Sequence, residues 1–581
     1  MVTKRRLCRG DRVAGGGRRA LPVLVLLLAY LLPLLVVPPT ASVPLSDDWV
    51  YQPSVQHLVG AGELWIAPPT VVTLVLQVVW GALFALPFGV TPVALRCSTL
   101  VASFAGTLAC YGLCRELDVA RPRALVGALA VWFAPLTFVL SYTFMSDVPY
   151  LALMSLAACA TVRAARREAF GGLAGGSLLA GAAFLVRQQG ALIPLAALAW
   201  LLIARPAWFR AARWRASAAT LGPCLVCVGG YSLWVATHGL PATQGSFIRS
   251  ALGTGVGQIL QQTWQLGIVG LFYVGLFVTP LVLGAARALP SAWRRAGGGP
   301  RTLTVGGLGI LGLWTNWYAL AHDGRPFPFI PFGSVINPEG LGTLADIDGH
   351  RGAVLPTWAW AAVALLCALA VAAAFVLVAG HERSDAAATD RARAFRGSPA
   401  GLVLALGLGQ LAGAVPPALS IPTLIAYDRY YLPLLPFGVG VVMWALRGRR
   451  FSPGAAVLGL VLLASIDLVG VQDWLSFKQA SWDAAQRLVV EQGVPLRQVE
   501  GGLEWDGTHF YEYALAHPDD RVPRRPGDPW WLDLFAPMID PVYVVAASPA
   551  PPAGYQLLGR TRYHTWLRAG DDAWIYVWKR E

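Results

Sequence analysis

The sequence predicts an all-α polytopic membrane protein with a small α/β domain at its C-terminal end, and three observations predict it. Of 581 residues, 56% are hydrophobic and 13% charged, a balance unlike that of a soluble chain of this length. Apolar runs near the 20 or so residues needed to cross a bilayer recur along most of the chain, separated by short stretches rich in Arg, Pro and Gly. After residue 471 that pattern stops, and Trp, Asp, Glu, Arg and His become frequent.

The elements follow in order from charge. The tail 1–20 carries Lys4, Arg5, Arg6, Arg9, Arg12, Arg18 and Arg19, and later basic connections are Arg115–Arg123, Arg163–Arg167, Arg205–Arg215, Arg287–Arg301, Arg383–Arg396 and Arg447–Arg450. These seven segments hold 28 of the 45 Lys and Arg residues. Short basic loops mark the cytoplasmic face, and only one alternation puts all seven inside. It gives spans near 21–43, 93–114, 124–145, 149–162, 172–186, 189–204, 217–237, 266–286, 303–320, 357–379, 401–419, 431–446 and 453–471, about thirteen helices. The N-terminus is then cytoplasmic and the C-terminus extracytoplasmic, as expected of a multi-pass plasma (inner) membrane protein. Segment 21–43 is read as a retained helix, because no small-residue cleavage site follows it. The net charge of +13 is a topology signal and a match to anionic lipid; it does not imply nucleic acid.

Val71–Phe88 is apolar enough to span, but counting it would throw Arg115–Arg123 and every later basic loop outside. It is therefore placed as a juxtamembrane helix in the outer interface, flanked by Pro68, Pro69, Pro87 and Pro92, within a long first outer loop, 44–92. Residues 21–471 form the transmembrane domain and 472–581 a soluble outer domain. There 481–492 has helical periodicity, 541–547 and 574–578 read as strands, and 522–529 and 549–553 as loops. Cys224 and Cys227 lie in an apolar span and read as packing residues, not a metal or redox pair.

On this topology the ionisable residues outside the basic loops gather at one face. Asp47 and Asp48 open the first outer loop; Asp147 lies in Phe144-Met145-Ser146-Asp147-Val148-Pro149-Tyr150, Arg187 in Arg187-Gln188-Gln189-Gly190, and Arg429 in Tyr427-Asp428-Arg429-Tyr430-Tyr431-Leu432-Pro433. Such groups at membrane depth are costly and mark sites or pathways, although each alone could merely cap or snorkel. Together they describe a base for a nucleophile and a cationic clamp for an anion.

The order of first helix, acidic pair, interfacial helix, Asp-x-Pro, Arg-Gln-Gln-Gly and Arg-Tyr-Tyr-Leu-Pro resembles the GT-C glycosyltransferases, in particular the protein O-mannosyltransferase and aminoarabinose transferase branch (bacterial glycosyltransferase family 39-like), over roughly 20–471. The resemblance implies a GT-C-like fold, a polyprenyl-phosphate sugar donor, a hydroxyl-bearing acceptor and an outer-face site. It implies Asp47 as base or acceptor-positioning group with Asp48 beside it, and matches Asp147 to the acid after the third helix, so Asp47, Asp48 and Asp147 are the catalytic candidates; Tyr51, Arg187, Gln188, Arg429 and Tyr430 are the substrate-binding candidates. Two positions depart from it. Aminoarabinose transferases place Arg and Lys where this chain has Val50 and Ala67, which leaves Arg187 and Arg429 as the phosphate clamp and argues against lipid A as acceptor.

An acidic pair is also a ligand set for a divalent cation, but no clear third ligand accompanies it, and the reading taken is a site without metal or cofactor. His322-Asp323 and Asp346-Ile347-Asp348-Gly349-His350 are read as a polar outer loop, with a substrate flap or metal cluster as alternatives. Trp530-Trp531 and Glu504-Trp505-Asp506 suit either sugar stacking or core packing. The competing functional reading is a lipid or polysaccharide transporter or flippase. Against it, the chain shows no internal repeat, and its ionisable groups lie at one face instead of mid-span.

Overall fold

The computed structural model describes residues 15–321, 327, 334–342, 348, 351–381, 393–415, 427–568 and 573–581. Among the described residues, six helices are long and apolar enough to cross a membrane: Pro92–Glu116, Asp147–Arg167, Arg213–His238, Val256–Arg295, Thr357–Ala379 and Pro453–Val490. A seventh span results if Arg121–Trp132 and Pro135–Ser141, bent by 61° at their junction, are one broken crossing. The chain is thus a multi-pass membrane protein. Helix stands at every one of the thirteen segments expected to span, but several are shorter than a crossing, among them Phe170–Phe184 and Pro399–Gly413. His322, Asp323, Asp346, Ile347, Gly349 and His350 lie outside the described residues.

Two breaks have local causes. At Ala134-Pro135 the proline has no N–H to donate and disfavours helical geometry in the residue before it, so the chain turns there and presents Tyr142–Asp147 to the centre of the bundle. Leu74, just before the helix Val75–Phe88, has φ +59°, and the backbone N–H groups of Leu74 and Leu76 donate to the carbonyls of Val186 and Leu185. The 14-residue helix is held beside the segment carrying Arg187, with Val79, Leu83, Leu86 and Phe88 left exposed as a lipid-facing side.

The basic connections meet at one end of the bundle. Arg123 donates to the carbonyls of Leu446 and Arg449 at 2.6 and 2.8 Å, Arg447 to that of Leu117 at 3.0 Å, and Arg449 to that of Leu377 at 2.9 Å. Arg166 pairs with Asp118 at 2.8 Å. Such contacts satisfy carbonyls that helix C-termini leave without partners. Also in the bundle is an apolar cavity of about 770 Å³ lined by Leu283, Trp293, Arg294 and Leu366.

The helix Pro453–Val490 is continuous through residue 471, where the outer domain was expected to begin. Its 38 residues give about 57 Å at 1.5 Å each, nearly twice the hydrocarbon thickness of about 30 Å. Its second half carries Phe477, Ala484, Ala485 and Leu488 into a separate small core with Val499, Trp505, Val545, Tyr563 and Ile575. In the adjoining sheet Val499–Glu500 runs parallel to Tyr543–Ala546, which pairs antiparallel with Trp574–Arg580, which pairs antiparallel with Tyr555–Arg562. The strands near 541–547 and 574–578 agree with expectation. Tyr555–Arg562 and the helix Leu503–Ala516 were not anticipated.

Candidate active site

The loop after the first helix is fixed by a buried arginine. Arg96, fully enclosed within the helix Pro92–Glu116, donates to the carbonyls of Pro39, Ala41 and Val43 at 3.1, 2.7 and 3.1 Å and to that of Tyr142 at 2.6 Å. Asp48 adds a second tie, its carboxylate accepting the backbone N–H groups of Leu45 at 3.1 Å and Phe144 at 2.7 Å. Burial pushes the Asp48 carboxyl up to about 7, against the opposing pull of Arg96 and these two amides. Expected at the site beside its neighbour, Asp48 is instead spent on joining the loop to the Tyr142–Asp147 turn.

Asp47 behaves differently. It occupies the N-cap position of the helix Asp48–Ala61, where an aspartate ordinarily accepts a backbone N–H, but its side chain makes no capping bond. Ser46 before it has φ +54°, a conformation costly for a residue with a side chain. The Ser46 N–H donates to Glu504 at 3.2 Å. The Asp47 carboxylate is left facing a cavity of about 610 Å³, 3.4 Å from Arg429 Nη2.

That cavity gathers most of the expected residues, Asp47, Tyr51, Arg187, Gln188, Arg429 and Tyr430, on its wall. Arg187 is 5% exposed, bonded to Asp147 Oδ1 at 2.7 Å and Ser146 Oγ at 3.1 Å, with its guanidinium 5.9 Å from the Tyr430 ring centre. Gly190 makes the Arg187 turn possible, because a Cβ there would lie 2.2 Å from the backbone N of Phe184. Asp147 stands behind Arg187 and is not on the cavity wall, so the geometry gives it the place of a positioning group where a third catalytic acid was expected. Arg429 lies 4.5 Å over the Tyr427 ring, and its buried Nε has no hydrogen-bond partner among the described residues. Gln188 faces the cavity while donating to the Val71 carbonyl at 3.0 Å. Asp47 and Asp48 thus engage different partners, Arg429 for the first and two backbone N–H groups for the second.

Two parts of the wall were not read from the sequence. The helix Ala242–Gly253 supplies Phe247, Ile248 and Leu252, anchored by Gln244, which donates to Val72 O at 2.6 Å and accepts from Tyr231 at 3.0 Å. Pro241 and the helical spacing of residues 247, 248, 251 and 252 are the signal that could have found it. Leu503, Trp530 and Phe535 come from the C-terminal segment. Its helix Leu503–Ala516 sits directly on the loop that carries Asp47, since a Cβ on Gly507 would lie 2.4 Å from the Trp49 ring.

Residues 75–234 match the model of the dolichyl-phosphate-mannose-protein mannosyltransferase family. Among solved structures, ArnT from Cupriavidus metallidurans bound to undecaprenyl phosphate is similar at 16% identity over 97% of this chain and 98% of that one, with a TM-score of 0.39. Its apo form scores 0.41 at the same identity and coverage. The Archaeoglobus fulgidus oligosaccharyltransferase, tethered with an acceptor peptide containing the NVT sequon, shows 13% identity over 88% of this chain and 60% of that one, with a TM-score of 0.37. At these scores the structural likeness is loose. No curated protein matches the chain. The chain resembles the GT-C membrane glycosyltransferases, and the stretch that matches a mannosyltransferase family is the one that supplies Asp147, Arg187 and Gln188.

Proposed function

We propose that this protein is a membrane glycosyltransferase that moves a sugar from a polyprenyl-phosphate donor to a hydroxyl acceptor at the extracytoplasmic face, with inversion at the anomeric carbon. The observation that carries the reading is the single cavity in which an uncapped carboxylate, Asp47, faces buried Arg187 and half-buried Arg429, beside an apolar wall of Phe247, Ile248 and Leu252. A polyprenyl phosphate has a matching division, a charged head and a long hydrocarbon tail.

In this scheme the acceptor hydroxyl gives its proton to Asp47 as its oxygen attacks the anomeric carbon. The bond from that carbon to the phosphate oxygen breaks, and its electron pair stays on the phosphate. Arg187 and Arg429 stabilise the charge gathering there, and preformed donors in a dry site are effective because they need not reorganise. Asp147 holds Arg187 in place. The arginines supply the positive charge, so the scheme uses neither metal nor cofactor. The contacts among the basic connections support placing them on one side, the cytoplasmic one, opposite the site.

The test is incubation of purified protein with a labelled polyprenyl-phosphate sugar and membrane extract. Label moving to a lipid, glycan or protein hydroxyl supports the reading. Translocation of intact donor lipid without transfer would favour the transporter.

A further inference from the structure

The C-terminal segment encloses a second cavity, of about 520 Å³, behind the wall that carries Asp47. The partition is thin. Leu503 faces the Asp47 cavity while its neighbour Glu504 faces the second one, and half-exposed Trp530 belongs to both. Through its bond to the Ser46 N–H, Glu504 also ties this wall to the loop that holds Asp47.

The lining combines flat aromatic faces with carboxylates. Trp482 is half-buried and Trp530 is 41% exposed, and buried Trp505 supports Trp482 edge-on with ring centres 4.8 Å apart. Lys478 is already neutralised between Asp348 and Glu504. Glu500 is 4% exposed, and one of its oxygens accepts the Gly502 N–H at 2.8 Å. Burial raises the proton affinity of its carboxyl. A pyranose ring presents an apolar C–H face, which suits an indole, and a rim of hydroxyl donors, which suits carboxylate acceptors. The acidic lining repels phosphate and carboxylate groups.

We infer that this cavity is a saccharide subsite that takes an uncharged or amino-substituted pyranose unit of a glycan acceptor, a deepening of the transferase reading above that rests on it. A ring seated between Trp482 and Trp530 lies one wall away from Asp47, so the adjoining unit of the same glycan reaches the reacting position across Trp530.

The experiment is saturation-transfer NMR on the full-length protein in nanodiscs, with methyl α-mannopyranoside, methyl β-glucopyranoside, glucosamine and, as the charged control, glucuronate. At least one of the first three is expected to bind and glucuronate is not. Binding should weaken roughly tenfold in Glu500→Gln, the scale of one lost hydrogen bond. It should vanish in Ala546→Trp, which fills the cavity while removing no polar partner, and persist in Asp47→Asn. Absence of binding by all three, binding by glucuronate equal to theirs, or binding unchanged in both cavity variants overturns the inference. Loss of sugar transfer with saccharide binding intact counts against the transferase reading alone.

Discussion

The two ends of the helical bundle use the same residue type in opposite ways. At the basic end, Arg123, Arg447 and Arg449 donate to the backbone carbonyls of neighbouring helix ends, so their charge is spent on closing the bundle. At the other end Arg187 and Arg429 are bonded to carboxylates and stacked on tyrosines around an open cavity, and the Arg429 Nε is left without a partner among the described residues. An arginine that caps carbonyls holds the fold; one paired with acid on a cavity wall and short of a partner, as Arg429 is among the described residues, has the donor an anion would take in the proposed scheme. The adjacent pair Asp47 and Asp48 repeats the contrast within two residues, one carboxylate facing the cavity and the other consumed by two amides.

The sharpest way to break the comparison is to exchange the two acids in turn. Asp47→Asn keeps the size and removes the proton acceptor, so transfer turnover should fall by ~10²–10⁴-fold with donor binding little changed. Asp48→Asn should spare most turnover and instead lower the unfolding temperature, since its amide group meets a backbone N–H that had an acceptor. Equal loss of turnover at matched membrane levels would erase the distinction.

The arginines come next. Arg187→Ala and Arg429→Ala should each weaken donor use by about 1–3 kcal/mol, the scale of hydrogen bonds to charged groups. Arg123→Ala should cost stability and leave donor kinetics unchanged. In a cysteine-free background, Arg450→Cys should resist an impermeant thiol reagent added outside while Glu491→Cys reacts. The reverse result would put the two ends on the wrong sides.

The smallest effect is on pH. Burial raises the Asp48 carboxyl from its ordinary 3.8 to about 7, so the folded state holds its proton where the unfolded chain has lost it. The stability this residue contributes is complete below about pH 4 and declines as pH rises toward about 7. Thermal unfolding between pH 4.5 and 8 should show a shallower slope in Asp48→Asn than in the native chain.

How much of this was legible in the sequence follows the same division. Apolar runs and arginine placement located the helical segments, and the short motifs around Asp47, Arg187 and Arg429 marked residues that share one cavity, because each lies at a helix end whose position the topology fixes. Side-chain direction was not legible. Asp47 and Asp48 are alike in sequence, and only Arg96 and the Tyr142–Asp147 turn, far away along the chain, decide which is spent on structure. The helix Ala242–Gly253 escaped notice because it follows a membrane span after only three residues. The roof over the site comes from Leu503, Trp530 and Phe535, more than 450 residues from Asp47, a pairing that no local pattern encodes.

The central claim is that the phosphate of the donor lipid sits at the Arg187–Arg429 end of the bundle. Cryo-electron microscopy of the protein in nanodiscs with polyprenyl phosphate tests it most directly. The account predicts density for the phosphate within about 3 Å of N–H groups on both arginines, with the chain running along Phe247, Ile248 and Leu252. Phosphate bound beside Arg294, in the apolar cavity formed by Leu283, Trp293 and Leu366, with the Asp47 cavity empty, would contradict it.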